Sequence, residues 1–437
     1  CSMGWEASAS KTLASSIAHK HQKVRTVVKH LRASARSHKA LSSSYRSVTT
    51  SYMRRALLLG GRRRLRPIRR CNWETSLKAL ASKPQTSVSL RGLGEAGKEH
   101  LRLSRGDARE ATTALLSIAG FLRHELPIRL ARRVVELDRL PALHEMPSVK
   151  KVREWYARSA LEIQEAPKPA DATTERAFAK LLETIYERHA GVLYTMAHGA
   201  YELRENYEGA FEDDASIHSF LDSFYTSRIG IRMIIGQYLA LREPAHGEDA
   251  VGLLSTAVAP ARIAEDAALQ ARHLCERQFG VAPDVKIEGR TDLDFEYVPD
   301  HAFYILLELL KNSMRASCEA SPEDPPAVRV VVADGEANED VALKVSDEGG
   351  GIARSDLRRV WSYLYTTASR DVQARGFSGG GSDFAGAPLA GLGYGLPISR
   401  AYARYFGGDL TLMSMEGFGT DAFVYLSRLG DHDEPLP

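Results

Sequence analysis

One helix constrains the fold of this chain more than any other stretch. Residues 301–315 carry apolar side chains at i, i+3, i+4, i+7 and i+11, the spacing of one helical stripe: Phe303, Leu306, Leu307, Leu310 and Met314. Four polar residues share a second face at i, i+3, i+4 and i+7: Glu308, Lys311, Asn312 and Arg315. By itself such a face is more typical of a solvated surface with salt bridges. Its meaning therefore depends on the rest of the chain.

Three glycine-rich turns follow this helix. Their sequences are Asp-Glu-Gly-Gly-Gly at 347–351, Gly-Leu-Gly-Tyr-Gly-Leu at 391–396 and Gly-Phe-Gly-Thr at 417–420. Each turn adjoins a predicted strand or helix. Any one of the turns alone is weak evidence for a ligand site. Together with the polar helix they form a combination that rarely arises by chance.

The turns and the helix carry groups that suit ATP. Asp347, at the end of a strand, could accept a hydrogen bond from the adenine amine, and Gly349 and Gly351 would let the backbone approach the ring. The second turn opens a helix, where backbone N–H groups and the helix dipole favour phosphate; its glycines are Gly391, Gly393 and Gly395. These patterns predict a nucleotide site.

The polar helix would supply the groups for catalysis. The amide oxygen of Asn312 is a suitable ligand for Mg²⁺, which prefers oxygen and keeps several waters. Lys311 and Arg315 can neutralise phosphate charge. Glu308 lies one turn before Asn312, so its carboxylate should face the γ-phosphate region. We therefore expect Glu308 to be the general base that accepts a proton from an attacking hydroxyl group.

These motifs resemble the N, G1, G2 and G3 boxes of the ATP-binding fold of histidine kinases, gyrase-type topoisomerases and heat-shock chaperones. Within that superfamily the sequence is similar to the mitochondrial pyruvate dehydrogenase kinases, particularly their plant and algal form. The similarity covers roughly residues 110–437, and its most specific phrases lie at 220–233, 396–400 and 402–410.

The resemblance implies further site residues. It adds Thr366 and Thr367 as nucleotide contacts and Thr420 as a contact to adenine through water. In the second turn it adds the three residues between and after the glycines: Leu392, Tyr394 and Leu396. His189 lies on an apolar helical stripe, where a core role is the commoner one. The resemblance nevertheless implies that it orients or tunes Glu308.

Charge is distributed unevenly along the chain. The net charge is +3, yet residues 7–73 contain 17 Lys and Arg and no Asp or Glu, so the remainder is acidic. An Arg-rich and Ser-rich segment without acids indicates an organelle transit peptide over residues 1–73, the alternative being a basic arm that binds nucleic acid. The acidic remainder argues against nucleic acid as a partner. The sequence shows no membrane span.

The hydrophobic pattern predicts two domains of an α+β fold. Residues 74–245 show helical periodicity with proline-containing breaks, which indicates an N-terminal four-helix bundle. Residues 250–437 alternate helices, expected at about 260–278, 299–317 and 396–406, with strands of a mixed sheet. The five strands are expected at 285–287, 328–332, 341–345, 410–413 and 422–426. This pattern predicts a two-layer α/β domain that binds ATP. Residues 368–390, rich in Gly, Ser and Ala, are expected to form a lid over it.

Five alternatives are weaker. Short segments resemble motifs of ordinary protein kinases, but the sequence has no His-Arg-Asp loop. The Gly-x-Gly-x-x-Gly at 92–97 lacks the βαβ context of a dinucleotide site. A histidine kinase would use His124, but Pro127 follows it at the wrong spacing. A clamp-closing ATPase would need a transducer domain after the nucleotide domain. The branched-chain 2-oxoacid dehydrogenase kinase shares the same boxes and is the closest rival.

The resemblance therefore implies a serine kinase that uses ATP and Mg²⁺ to phosphorylate and inactivate the E1 alpha subunit of pyruvate dehydrogenase. It further implies a homodimer in the mitochondrial matrix that docks on the lipoyl domain of dihydrolipoamide acetyltransferase. Members of the family that carry a histidine one turn before the glutamate differ from this chain, which has Tyr304 there. A His–Glu dyad within this helix is therefore not expected.

Overall fold

The computed structural model describes most of the chain after residue 72. The described residues are 73–106, 108–140, 142–207, 215–244, 247–335, 340–366, 393–428 and 430–436. They lie within a single compact unit of residues 70–437. The predicted transit peptide and the predicted lid at 368–390 fall outside the described residues.

The first part of the chain is helical. Its helices are α1 (Trp73–Ala81), α2 (Leu90–Gly106), α3 (Ala108–Leu137), α4 (Pro147–Glu165), α5 (Ala172–Arg188), α6 (Val192–Asn206) and α7 (Ala215–Leu241). The long helices α3, α4, α5 and α7 pack together as the predicted four-helix bundle, and α1, α2 and α6 pack around it. Their shared core includes Leu130, Tyr156, Leu182 and Phe224.

Local sequence explains where several helices begin and end. Asp171 caps α5, because its side chain accepts hydrogen bonds from the backbone of Thr173 and Thr174. Proline occupies the first turn of α4 and of the two helices at Pro260 and Pro299, where its missing N–H costs nothing. Gly280 ends the helix that begins at Pro260 with a φ of 77°.

The second part is the expected α/β domain. It contains β1 (Ala250–Val251), β2 (Leu254–Val258), α8 (Pro260–Phe279), β3 (Val285–Gly289), β4 (Phe295–Tyr297), α9 (Pro299–Ala320), β5 (Val328–Asp334), β6 (Asp340–Asp347), α10 (Gly395–Tyr405), β7 (Asp409–Met415) and β8 (Gly419–Ser427). Short 3₁₀ turns lie at Leu143–Glu145 and Arg359–Trp361. The predicted helices and the five predicted strands are confirmed. Strands β1, β2 and β4 were not predicted.

The strands form two sheets. The larger sheet has the order β3-β5-β6-β8-β7, with β3 parallel to β5 and the other neighbours antiparallel, so it is mixed as expected. The smaller sheet has the order β1-β2-β4 and is antiparallel. Helices α8, α9 and α10 pack against the larger sheet and bury its apolar side chains, among them Val330, Leu343 and Val424. This is the two-layer arrangement that the alternating pattern predicts.

No helix within the described residues is both long enough and apolar enough to cross a bilayer.

Candidate nucleotide site

Helix α9 forms one wall of a cavity. Its apolar stripe is buried in the domain core at Leu306, Leu310 and Met314. Glu308 and Lys311 on the second face are each only 8% exposed. The polar face is therefore an internal wall rather than the solvated surface that such a pattern usually forms.

The cavity has a volume of about 420 Å³. The predicted site residues that line it are Glu308, Lys311, Asn312, Arg315, Asp347, Gly349, Gly351, Thr366, Gly393, Tyr394, Gly395, Leu396 and Thr420. Thr367, Gly391 and Leu392 lie outside the described residues. The fold thus brings residues from five separate stretches of the sequence around one space.

Glu308 is fixed at one end of this cavity. Its Oε1 accepts a hydrogen bond from Lys311 Nζ at 2.7 Å, and both side chains are about 90% buried. Its Oε2 lies against Gly395, where a Cβ atom built on the glycine would stand only 2.6 Å away. The carboxylate therefore sits between its own helix and the first residue of α10.

The first residues of α10 form the opposite wall. Gly393 has a φ of 74°, and a Cβ atom there would stand 2.5 Å from the carbonyl carbon of Leu364. Gly395 begins the helix. The first N–H groups of a helix lack intrahelical partners and favour anions. This wall can therefore bind phosphate next to Glu308.

Asp347 also lines the cavity. It ends β6, and its Oδ1 accepts a hydrogen bond from the Gly349 backbone at 3.0 Å. Burial raises the pKa of Asp347, while hydrogen bonds from Gly349 and Ser313 act in the opposite direction. Thr420 faces Asp347 on the neighbouring strand β8. An acceptor at the end of a half-closed cavity suits an amino group of a planar base.

The first and third glycine turns hold one another in place. Gly350 N donates to Phe418 O at 3.1 Å, and Gly417 N donates to Gly350 O at 2.8 Å. Gly351 has a φ of 70°, and a Cβ atom there would stand 2.1 Å from Met415 O. Only glycine fits such a close backbone approach. The glycines therefore bring the turn at 347–351 against the edge of the sheet.

His189 lies in the helical bundle, away from the cavity lining. It follows α5 and is 3% exposed. Its Nε2 is 3.0 Å from Ser159 Oγ, and its ring packs on Tyr156 at a centroid distance of 4.7 Å. Burial is the main cause that lowers the pKa of His189 to about 3; the charges of Arg188 and Arg228 act in the same direction, and a hydrogen bond with the Trp155 backbone opposes them. The predicted action of His189 on Glu308 stays a prediction.

Tyr304 lies between these two regions. It lines the cavity one turn before Glu308 and packs on Tyr402 at a centroid distance of 5.0 Å. Burial raises the pKa of Tyr304, as does the charge of Glu308, whereas Arg228 lowers it. Arg228 is therefore near enough to influence both Tyr304 and His189. It offers an indirect electrostatic route between the bundle and the cavity.

Sequence reasoning missed several residues of the cavity. Ser313 supports Asp347, and its position directly after Asn312 could have suggested this. The unpredicted apolar residues of the lining include Leu309, Ile352, Val360, Leu412 and Ala422. Leu412 and Ala422 are paired across β7 and β8, so only the strand register brings them together. Such residues carry no distinctive signal in the sequence.

The cavity offers an oxygen donor of the kind that suits magnesium bound together with a nucleotide. Among the described residues no group of three or more His, Cys, Asp or Glu side chains could hold a metal ion. Asn312 is a single amide ligand in the cavity wall. Magnesium usually binds proteins through one or two oxygen ligands while nucleotide phosphates and water complete its shell. The residues present therefore fit Mg²⁺ that arrives with ATP.

Comparison with known families covers both parts of the chain. Residues 88–255 match the family described as mitochondrial branched-chain alpha-ketoacid dehydrogenase kinase. Residues 297–429 match the family described as histidine kinase-, DNA gyrase B-, and HSP90-like ATPase. The second match includes α9 and the three glycine turns.

Individual relatives are similar over most of their length. A mitochondrial [pyruvate dehydrogenase (acetyl-transferring)] kinase of Arabidopsis thaliana is 45% identical over 359 residues, which is 81% of this chain and 93% of that protein. The corresponding kinase of Schizosaccharomyces pombe is 37% identical, over 83% of this chain and 98% of that protein. Isozyme 3 of Mus musculus is 40% identical, over 78% of this chain and 82% of that protein.

Proposed function

This chain belongs to the pyruvate dehydrogenase kinase family, and from that premise we propose that it transfers the γ-phosphoryl group of ATP to pyruvate dehydrogenase. One observation carries the proposal. A buried carboxylate, Glu308, lies against the first residue of α10, and both line a cavity whose lining also includes Asp347. This contact supports a role for Glu308 as a base beside a helix start that binds phosphate.

We propose that Asp347 binds the adenine amine, with Gly349, Gly351 and Thr420 around the base. The turn before α10 and the side chains of Lys311 and Arg315 bind the phosphates. Thr366, Thr367, Gly391, Leu392, Tyr394 and Leu396 complete the nucleotide contacts. Asn312 is the protein ligand of Mg²⁺, which, when bound, neutralises charge on the phosphates and holds them in line.

Glu308 is the proposed general base. Its Oε1 is occupied by Lys311 and its Oε2 faces the start of α10, so Oε2 is the oxygen available to an attacking serine hydroxyl. In the proposed step the hydroxyl proton moves to Glu308, the serine oxygen bonds to the γ-phosphorus, and the bond to the β-phosphate oxygen breaks. ADP leaves with that electron pair. Lys311 keeps the carboxylate aligned throughout.

Further aspects of the proposal concern location and partners. The protein is proposed to act in the mitochondrial matrix, on the E1 alpha subunit, which it inactivates. It is proposed to dock through its helical region on the lipoyl domain of the acetyltransferase. Residues 74–245 are the proposed bundle domain, residues 250–437 the proposed kinase domain, and residues 1–73 the proposed transit peptide.

A homodimer is the proposed assembly. Strand β7 is at the edge of the larger sheet and carries Met413 and Met415, each 67% exposed, with Phe418 beside them at 58%. Exposed apolar residues on an edge strand favour burial against another surface. This surface supports self-association. Phe418 belongs to the third glycine turn, so the exposed apolar surface extends to that turn.

The branched-chain enzyme is the competing substrate, because the family matched by residues 88–255 carries that description. Purified protein with labelled ATP should transfer acid-stable phosphate to a serine of pyruvate dehydrogenase, and much less to the branched-chain dehydrogenase. Preferential labelling of the branched-chain enzyme would reverse the substrate assignment. Acid-labile phosphate kept on the protein itself, and lost in a His124→Gln variant, would indicate a histidine kinase.

A further inference from the structure

A short segment next to the cavity is held in an unusual conformation. Residues 362–366 follow the 3₁₀ turn Arg359–Trp361 and supply Tyr365 and Thr366 to the cavity lining. Leu364 has a φ of 63°, one of two positive values among the described non-glycine residues. Its N–H donates to Gly393 O at 3.1 Å. The segment is thus joined to the phosphate-side turn, and its backbone needs support from its surroundings.

Helix α7 of the bundle gives that support through Tyr363. The phenol is 2% exposed, and its hydroxyl donates a 2.7 Å hydrogen bond to Asp222 Oδ1. The Tyr363 N–H donates to His218 Nδ1 at 3.3 Å. Both acceptors lie on α7, one turn apart. The residue before Leu364 is therefore fastened by its side chain and by its backbone to the helical part of the molecule.

Aromatic packing extends this attachment to the glycine turn itself. Tyr363 lies 5.3 Å from the rings of both Tyr225 on α7 and Tyr394 in the turn before α10. Tyr225 also meets Tyr394 edge-on at 5.9 Å. Tyr394 directly precedes Gly395, which contacts Glu308. A continuous set of contacts thus runs from α7 to both walls of the phosphate end.

The other end of the segment is anchored separately. Arg400 on α10 lies over the ring of Trp361 at 4.4 Å, and its Nε donates to Asp409 at 3.0 Å. The segment therefore has one anchor inside the α/β domain and a second on the bundle. The Tyr363–Asp222 hydrogen bond belongs to the second anchor, and it is the contact that can be removed with least damage.

We propose that Asp222 is a positioning residue for nucleotide binding: by holding the Tyr363 hydroxyl, it fixes residues 362–366 and the turn at Gly393 in the conformation that receives ATP. The proposal deepens the proposed function, because it assumes that this cavity is the ATP site. Without the hydrogen bond the strained segment is free to relax, and ATP must order it again on binding. The bundle thus sets the affinity of the cavity without touching the ligand.

The test compares full-length protein carrying Tyr363→Phe, Asp222→Ala, both changes together, and Asp222→Asn. Ser219→Ala is the matched control, an exposed residue on the same helix. Titration calorimetry gives the Kd for MgATP, and the transfer assay gives KM for ATP and kcat. Tyr363→Phe removes one oxygen atom and keeps the ring contacts, so it decides the test if Asp222→Ala does not fold.

Tyr363→Phe and Asp222→Ala should each raise the Kd and KM for ATP by about 3- to 10-fold. Asp222 is exposed to solvent, so its hydrogen bond should contribute less than a buried hydrogen bond to a charged group. The double variant should be no worse than either single variant, and Asp222→Asn should stay close to wild type because an amide oxygen still accepts. The kcat at saturating ATP should change less than KM. A merely structural loss would instead lower kcat with the inactive fraction and leave KM unchanged.

The proposal is overturned if Tyr363→Phe binds MgATP as tightly as Ser219→Ala, if the effects of the two single changes multiply, or if Asp222→Asn is as weak as Asp222→Ala. These results differ from failure of the proposed function, in which wild-type protein itself would not bind MgATP or would not transfer phosphate.

Discussion

At the residue scale, the site depends on which partners a few side chains contact. The sequence predicts that Glu308, Lys311 and Asn312 share one face of a helix, because helical spacing fixes that relation. It does not predict that Lys311 pairs with Glu308 at 2.7 Å, since either partner could equally have met phosphate or solvent. Nor does it place Oε2 of Glu308 against Gly395, 87 positions later in the chain.

The burial of His189 predicts how the free energy of unfolding depends on pH. Its pKa of about 3 in the folded protein lies below its ordinary value of 6.5. As pH falls from 6.5 towards 3, the unfolded chain therefore takes up a proton that the folded protein does not, so the free energy of unfolding decreases. The expected contribution is about 1.4 kcal/mol per pH unit, and His189→Gln should remove it.

Urea unfolding of wild type and His189→Gln between pH 7 and pH 5 measures this contribution. His273→Gln, which changes an exposed histidine on α8, controls for the loss of a histidine as such. Equal pH dependence in wild type and His189→Gln would contradict the assignment of a buried neutral imidazole.

At the element scale, long periodic segments were predictable, and of the short strands only β3 was, through its alternating Val285, Lys286 and Ile287. Helix α9 and strands β5, β6, β7 and β8 have seven or more residues each and a clear pattern. Strands β1, β2 and β4 have two, five and three residues, too few for alternation to emerge. They form because they pair with one another, which a local pattern cannot reveal.

The contact between α9 and α10 gives a prediction about elements. A Gly395→Ala change places a methyl group 2.6 Å from Glu308 Oε2, and the flexible carboxylate is the group that must move. Phosphate transfer should fall by at least about tenfold, as expected when a catalytic group shifts by about 1 Å. Thermal stability should change little. Measured kcat and the melting temperature separate the two effects.

Gly120→Ala is the control for this change. Gly120 lies inside α3 with no atom within 4 Å of the added methyl group. That variant should keep full activity and gain up to about 1 kcal/mol of stability from better helix propensity. An active Gly395→Ala protein would show that the close approach of α10 to Glu308 is not needed for transfer.

At the scale of the whole molecule, a buried ionic network joins the helical and α/β parts. Arg129 on α3 donates to Glu125 at 2.9 Å and to Glu434 at 3.0 Å, across 305 positions of sequence. Tyr405 on α10 donates to the same Glu434. No pattern in the sequence could predict this network, because it depends on the final packing of three distant stretches. It fixes the C-terminal segment against the bundle.

Removing Glu434 should destabilise the entire fold. Glu434→Ala leaves the Arg129 guanidinium buried without this partner, and the expected loss is about 3 to 5 kcal/mol in the free energy of unfolding. Glu434→Gln should be milder, since its amide oxygen still accepts. Asp433→Ala is the control, because Asp433 is exposed and its side chain bonds only to Ser87 among its described partners. Equal free energies of unfolding for Glu434→Ala and Asp433→Ala in urea denaturation would refute a structural role for the network.

The proposed mechanism depends on Glu308, which accepts the proton of the serine hydroxyl during phosphate transfer to pyruvate dehydrogenase. The most direct test measures transfer from labelled ATP by wild type, Glu308→Gln and Glu265→Gln, an exposed control on α8, alongside the Kd of each protein for MgATP. Glu308→Gln should lose about 10²- to 10⁴-fold in rate while its Kd stays within a few fold of wild type. Transfer by Glu308→Gln at the rate of Glu265→Gln would contradict the claim.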